Sequence, residues 1–159
     1  MAPSKQKQDI VVQIAKDFKG INVCLPKLRK LVKTICNRFT GHQMQDTRCE
    51  ISIAIVDDAE MRKANKQFLN RSITTDCLSF DLSDDTKKKS FELIINAEKA
   101  VKEAALRGHL AEAELALYVT HGLLHNLGFD DSTKSRAKKM HETEDEILQQ
   151  QGYGFVYNS

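Results

Sequence analysis

The stretch Thr120-His121-Gly122-Leu123-Leu124-His125-Asn126-Leu127-Gly128-Phe129-Asp130-Asp131 constrains the fold of this chain more than any other. Leu115, Val119, Leu123 and Leu127 recur at helical spacing, so a helix over Ala111 to Leu127 must lay that stripe on a core. His121 and His125 stand one turn apart on the same helix, and at 3.6 residues per turn their side chains emerge about 40° apart. Both imidazoles therefore look sideways from the core stripe into a cleft. Gly128 follows the helical pattern, where glycine readily takes the left-handed conformation that ends a helix and turns the chain back. Asp131 can then return as a third donor. The spacing His-x-x-x-His-x-x-Gly-x-x-Asp is that of zinc hydrolases drawing two ligands from a helix and a third from beyond the turn, which predicts a metal held by His121, His125 and Asp131.

Gly122 narrows the chemistry. In the zinc peptidase signature a glutamate follows the first histidine and acts as general base, so peptide hydrolysis by that route is disfavoured here. A mid-helix glycine costs about 1 kcal/mol relative to alanine, which implies close approach of the backbone by a substrate or by a neighbouring element.

Periodicity along the chain predicts four strands and five helices. Ile10 to Ile14 and Cys49 to Val56 read as strands, the second with Ile51, Ile53 and Ile55 on one face. Between them Leu28 to Phe39, following Pro26, carries apolar residues at helical spacing. Asp57 or Asp58 caps a helix to about Phe68, and Leu69 to Asp76 forms a polar connection. Cys77 to Leu82 and Phe91 to Asn96 are two more strands around a loop from Ser83 to Ser90. Helices follow over Glu98 to Arg107, Ala111 to Leu127 and Lys134 to Gln151, the last capped by Ser132 or Thr133. The expected fold class is α+β, a single domain over residues 1–159 with a small mixed four-stranded sheet and about five helices packed on it. Residues 152–159 are expected to form a mobile tail.

The N-terminus, Met1 to Gln8, is polar, and no apolar run is long enough for a signal peptide or membrane span, which predicts a cytoplasmic protein without a membrane partner. The four cysteines, Cys24, Cys36, Cys49 and Cys77, are scattered, which argues for reduced thiols and no disulfide-linked partner. A net charge of +2 does not by itself indicate nucleic acid. Cations nevertheless cluster at Lys27, Arg29, Lys30 and Lys33, at Lys87 to Lys89, and at Lys134, Arg136, Lys138 and Lys139. The last group begins three residues past Asp131, so Lys134 and Arg136 are candidates for neutralising a phosphodiester backbone near the metal. His109 and His141 lie outside the metal motif, and His141, among Glu142, Glu144, Asp145 and Glu146, reads as a solvated, salt-bridged residue.

The metal motif resembles the signature of the YbeY family of metal-dependent endoribonucleases, His-Gly-x-Leu-His-x-x-Gly-Tyr/Phe-Asp-His, at His121, Gly122, Leu124, His125, Gly128, Phe129 and Asp130. Thr75-Asp76-Cys77-Leu78-Ser79-Phe80 is similar to the family's Pro-Thr-Asp-Val-Leu-Ser-Phe block, and Asn65 stands where the family has an upstream asparagine. Glu92 to Ile95, with Glu98 to Ala104 after it, matches a third strand and helix more weakly, so the resemblance runs from about Cys49 to Leu148. There are departures. Asp131 stands for the family's third histidine, Leu69 for an arginine, and Thr74 and Phe91 for a proline and a glycine.

The resemblance implies a metal-dependent, single-strand-specific endoribonuclease in ribosomal RNA maturation and ribosome quality control, with RNA and the ribosome as partners and one Zn2+ per chain. It places Asp76 and Ser79 in a substrate groove beside the metal, and in place of the missing arginine either Arg71, two positions from Leu69, holds phosphate from a shifted position or that role is lost. Asp130 is expected either to orient a ligand histidine or to serve as the base. The alternative is a non-catalytic RNA-binding assembly factor with a structural metal. Two histidines and a carboxylate also form the facial triad of non-heme iron oxygenases, but no cosubstrate-binding feature accompanies them.

Overall fold

A computed structural model describes residues 9–40, 48–84 and 88–154. The elements run β1 (Asp9–Lys16), α1 (Leu25–Thr40), β2 (Arg48–Val56), α2 (Asp58–Leu69), β3 (Cys77–Asp81), β4 (Lys88–Asn96), α3 (Ala97–Arg107), α4 (Ala111–Asn126) and α5 (Lys134–Gln150). Branched apolar residues alternate along β2 and β4, so Ile51, Ile53 and Ile55 join Phe91, Leu93 and Ile95 in one buried layer. The sheet order is β1-β2-β4-β3, with β1, β2 and β4 parallel and β3 returning antiparallel on β4. This is the expected α+β arrangement of five helices on a mixed four-stranded sheet.

Local chemistry sets the boundaries. Asp57, not Asp58, caps α2 by accepting from the Glu60 N–H, and Thr133, not Ser132, caps α5 by accepting from the Arg136 N–H. Helix α1 opens one turn ahead of Leu28, since the Leu28 N–H already bonds the Cys24 carbonyl and Pro26 needs no partner in a first turn. Strand β4 takes over the end of the expected Ser83–Ser90 loop, because Lys88, Lys89 and Ser90 pair in parallel with Arg48, Cys49 and Glu50. The chain past Gly152, expected to be mobile, is anchored as far as Tyr153, whose N–H donates to the Leu148 carbonyl and whose ring lies 4.1 Å under the Lys27 ammonium. Met1 to Gln8, Lys87 and residues 155–159 lie outside the described residues.

Helix α4 is the axis of the molecule. Every residue from Ala113 to Thr120 is buried, as are Gly122, Leu123 and Leu124, which goes beyond the single apolar stripe the sequence shows. It runs against β3 and β4, with α1, α3 and α5 beside it. It lies close against the sheet at Gly122, where a methyl group would sit 2.6 Å from Cys77 Sγ and 2.8 Å from Leu93 Cδ2. The element that the mid-helix glycine admits is therefore the sheet itself. Since Leu93 is in the buried core and Cys77 is packed against it, they have little room to withdraw.

Gly122→Ala is accordingly expected to lower stability by about 1–3 kcal/mol despite its better helix propensity. Thermal or urea unfolding followed by circular dichroism measures this, and an unchanged or raised midpoint would show that α4 can move away from the sheet without penalty.

Candidate metal centre

The way α4 ends determines the site. The Gly128 N–H bonds the His125 carbonyl at 3.1 Å and the Phe129 N–H bonds the Leu124 carbonyl at 2.9 Å, with Gly128 at φ 100°. Those two bonds are the Schellman pattern, which satisfies terminal carbonyls and reverses the chain. Phe129 then packs edge-on against Phe39 of α1, with ring centroids 5.1 Å apart, and so pins the reversed segment. Asp131 is carried back toward the histidines as expected.

His121 Nε2 and His125 Nε2 lie 3.1 Å apart, and Asp131 Oδ2 lies 3.8 Å from His125 Nε2. One donor atom from each of the three falls within 4.8 Å of the others. Donors arranged tetrahedrally about a zinc ion at its usual bond lengths stand about 3.3 Å apart. Two imidazole nitrogens and one carboxylate oxygen at these separations thus fit a divalent ion of borderline softness in both spacing and chemistry. Exposure is graded: the side chains of His121, His125 and Asp131 are 25%, 33% and 47% accessible, so the cluster opens to solvent on the Asp131 side.

Behind His121 stands Glu144 of α5, 1% exposed. Its Oε2 lies 3.2 Å from His121 Nδ1 and its Oε1 lies 2.9 Å from His141 Nδ1. Burial pushes His121 toward its neutral form, but the hydrogen bond to Glu144 and that carboxylate's charge, with Asp76 and Asp131 adding to it, outweigh burial and raise its pKa. A cavity of about 280 Å³ opens beside this face, lined by Asp76, Lys99, Arg107, Tyr118, His121 and His141 among others.

The loop that brings Asp76 to this cavity is held by polar contacts. The Asn96 amide donates to Asp58, to the Thr74 hydroxyl and to the Thr75 carbonyl, and the Thr74 hydroxyl donates to Asp58. Hydrogen bonds from Thr74, Arg62 and Asn96 hold the Asp58 carboxyl well below the usual carboxylate range. Buried Asn65 donates to the Ile73 carbonyl at the other end of the loop.

Other sequence-predicted site residues fall in different places. Ser79 faces α4 opposite Gly122, its Cβ 3.7 Å from where a methyl there would sit, and so lies one residue along the helix from His121. Arg71 is exposed in the α2–β3 connection and does not line the cavity. Asp130 neither orients a histidine nor is suited to act as a base. Its carboxylate accepts from the Ser132 hydroxyl and N–H and pairs with Arg136 at 2.7 Å. The Ser132 hydrogen bonds, with Arg136 adding, hold its pKa down at about 2, too low for a proton acceptor near neutrality. Arg136 is thereby partly neutralised, while Lys134 is exposed at the start of α5. His141, read as solvated, is half-buried against Glu144. The residue that sequence reasoning missed is Glu144, whose signal was hidden in the acidic run around His141. His109 pairs instead with buried Glu114, which also takes Arg107 at 3.5 Å.

None of the four cysteines is in a disulfide, and among the described residues no helix is long and apolar enough to cross a membrane. A family model described as Endoribonuclease YbeY matches residues 13–152. Endoribonuclease YbeY of Heliobacterium modesticaldum is 32% identical over 130 residues, covering 74% of this chain and 77% of that protein. Endoribonuclease YbeY of Thermoanaerobacter pseudethanolicus is 33% identical over 136 residues, covering 76% and 86%. The solution structure of a Thermotoga maritima protein aligns with a TM-score of 0.56 at 23% identity, covering 88% of this chain and 91% of that one, a likeness of fold.

The raised His121 pKa has two opposite consequences. In the metal-free protein, charged His121 against Glu144 contributes stability that is full below the ordinary value of 6.5 and is lost as pH rises through the raised one. A divalent ion must displace that proton, so its affinity falls on acidification, starting above pH 6.5. Zinc affinity measured by chelator competition is expected to drop about tenfold per pH unit for each histidine that must lose a proton. A pH-independent affinity between pH 5 and 8 would contradict this.

Proposed function

This chain belongs to the endoribonuclease YbeY family, and from that premise we propose that it is a metal-dependent endoribonuclease that cuts single-stranded RNA, acting on ribosomal RNA during maturation and quality control of the ribosome in the cytoplasm. The observation that carries the metal dependence is the convergence of His121, His125 and Asp131 within 4.8 Å at the reversed end of α4. In this reading those three residues hold one Zn2+ per chain. When bound, a divalent ion supplies Lewis acidity toward a phosphoryl oxygen and a nucleophile from water near neutral pH.

The protein's own groups supply position and charge. The cavity beside His121 receives the nucleotide at the cleavage point, with Lys99 and Arg107 as its cations and Asp76 and Tyr118 along its wall. Ser79, opposite Gly122, borders the approach to the histidines. Lys134 and Arg136 neutralise RNA backbone entering past Asp131, where Lys134 contributes the larger share because Arg136 is paired with Asp130. Arg71, outside the cavity, contacts flanking backbone and not the reacting phosphate. That same displacement of Arg71, together with the anionic third ligand, favours the second reading, an RNA-binding ribosome assembly factor with a structural metal.

Cleavage of a labelled single-stranded ribosomal RNA fragment separates the two. Metal-loaded wild type is expected to cut, while chelated protein and His125→Ala lose at least about a hundredfold in rate with RNA binding retained. Binding without cutting in every sample, with metal present, would establish the assembly-factor reading instead. The salt dependence of RNA binding tests the electrostatic assignment: Lys134→Ala is expected to reduce the slope by about one and Arg136→Ala by less. Equal slopes in both variants and wild type would remove these cations from the interface.

A further inference from the structure

Glu144 contributes to no contact with solvent that would explain its charge. It is 1% exposed, and isolated burial of a carboxylate is expensive unless donors surround it. Its two oxygens are taken up by two imidazole nitrogens, His121 Nδ1 at 3.2 Å from across the α4–α5 interface and His141 Nδ1 at 2.9 Å from its own helix. An ionised carboxylate can only accept, so both Nδ1 atoms carry hydrogen. With Nδ1 protonated, neutral His121 is left with its lone pair on Nε2, the atom 3.1 Å from His125 Nε2.

We propose that Glu144 is a positioning residue of the metal centre: it fixes His121 as the Nδ1–H tautomer, turns its Nε2 lone pair toward the ion, and strengthens that nitrogen as a donor by placing negative charge behind the ring. His141 has a supporting part, since by occupying Oε1 it keeps the carboxylate from rotating its charge away from His121. Hydrogen-bonded partners of ligating histidines commonly set both tautomer and basicity, and their loss lowers metal affinity about 10–100-fold. The proposal rests on the reading of His121, His125 and Asp131 as ligands. A merely structural Glu144, holding α5 to α4, would leave the tautomer and the metal affinity of the folded protein unchanged.

The experiment uses full-length wild type, Glu144→Gln, Glu144→Asp, His141→Gln and His125→Ala, each checked for folding by circular dichroism and titrated with Zn2+ against a chromophoric chelator. Long-range 15N–1H correlation on the zinc-loaded proteins reads the His121 tautomer. Wild type is expected to show zinc on Nε2 and hydrogen on Nδ1. Glu144→Gln should bind zinc about 10–100-fold more weakly, with Glu144→Asp recovering part of the loss and His141→Gln losing only a few-fold. Wild-type affinity in Glu144→Gln, or a wild-type His121 bound through Nδ1, overturns the proposal. Should Glu144→Gln fail to fold, His141→Gln and the wild-type tautomer decide. If His125→Ala also binds zinc like wild type, the metal-centre reading itself fails. If it loses zinc while Glu144→Gln does not, only the role of Glu144 fails.

Discussion

The close contact of α4 with β3 and β4 at Gly122 is the constraint on which the rest of the molecule is arranged. A helix buried along nearly its whole length has little surface left for polar side chains, and here that surface is the strip bearing His121 and His125. A side chain at residue 122 would run into Cys77 and Leu93, so the close seat of the helix that carries the two imidazoles depends on this glycine. The same seat brings α4 alongside Ser79 of β3, and the hydrogen-bonded cluster of Asp58, Thr74 and Asn96 fixes the preceding loop so that Asp76 reaches the cavity. Packing and polar networks thus act on one another: the sheet positions the helix, and the loop feeding the sheet edge completes the wall of the cleft.

Burying a helix this thoroughly also forces carboxylates buried on it or on the neighbouring α5 to find partners. Glu114 of α4 and Glu144 of α5 both line the cavity and are each 1% exposed, and each is satisfied by histidine, Glu114 by His109 with Arg107 adding and Glu144 by His121 and His141. Burial, with the nearby Glu114 charge, pushes the Tyr118 hydroxyl up, so that side chain meets the cavity as a neutral phenol. A half-satisfied pair of carboxylates in such a place would destabilise the core more than an apolar replacement would.

How much of this could be read in advance follows from distance along the chain. The three donors fall within eleven residues, and helix geometry plus a helix-ending glycine is enough to bring them together, so the cluster was legible from spacing. Alternation gave the strands, though the start of β4 was hidden because Lys88 to Ser90 look like loop and become strand only by pairing with β2. Gly122 announced a close approach without naming the neighbour. Glu144 was illegible: it sits 23 residues from His121, and nothing in an acidic helical segment says which carboxylate turns inward. Asp130 shows the converse, a residue next to Asp131 in sequence whose side chain is taken by Ser132 and Arg136.

Charge at the metal cluster depends on where each carboxylate lies and not only on how many there are. An anionic Asp131 in place of a neutral imidazole lowers the net charge of a bound ion's surroundings and with it the ion's Lewis acidity. Yet Asp131 is the outermost of the three donors, 47% exposed, in a region where water screens charge strongly. Two unit charges 4 Å apart interact by about 1 kcal/mol in bulk water and about 4 kcal/mol under the effective screening near a protein surface. A carboxylate at the solvent edge therefore costs the ion less acidity than the same group would at the position of Glu144, whose burial leaves its charge poorly screened and directed through the His121 ring. The two anions accordingly divide their effects. In the proposed metal reading Asp131 stands at the open, solvent-screened side, while Glu144 bears on the ring of the less exposed His121.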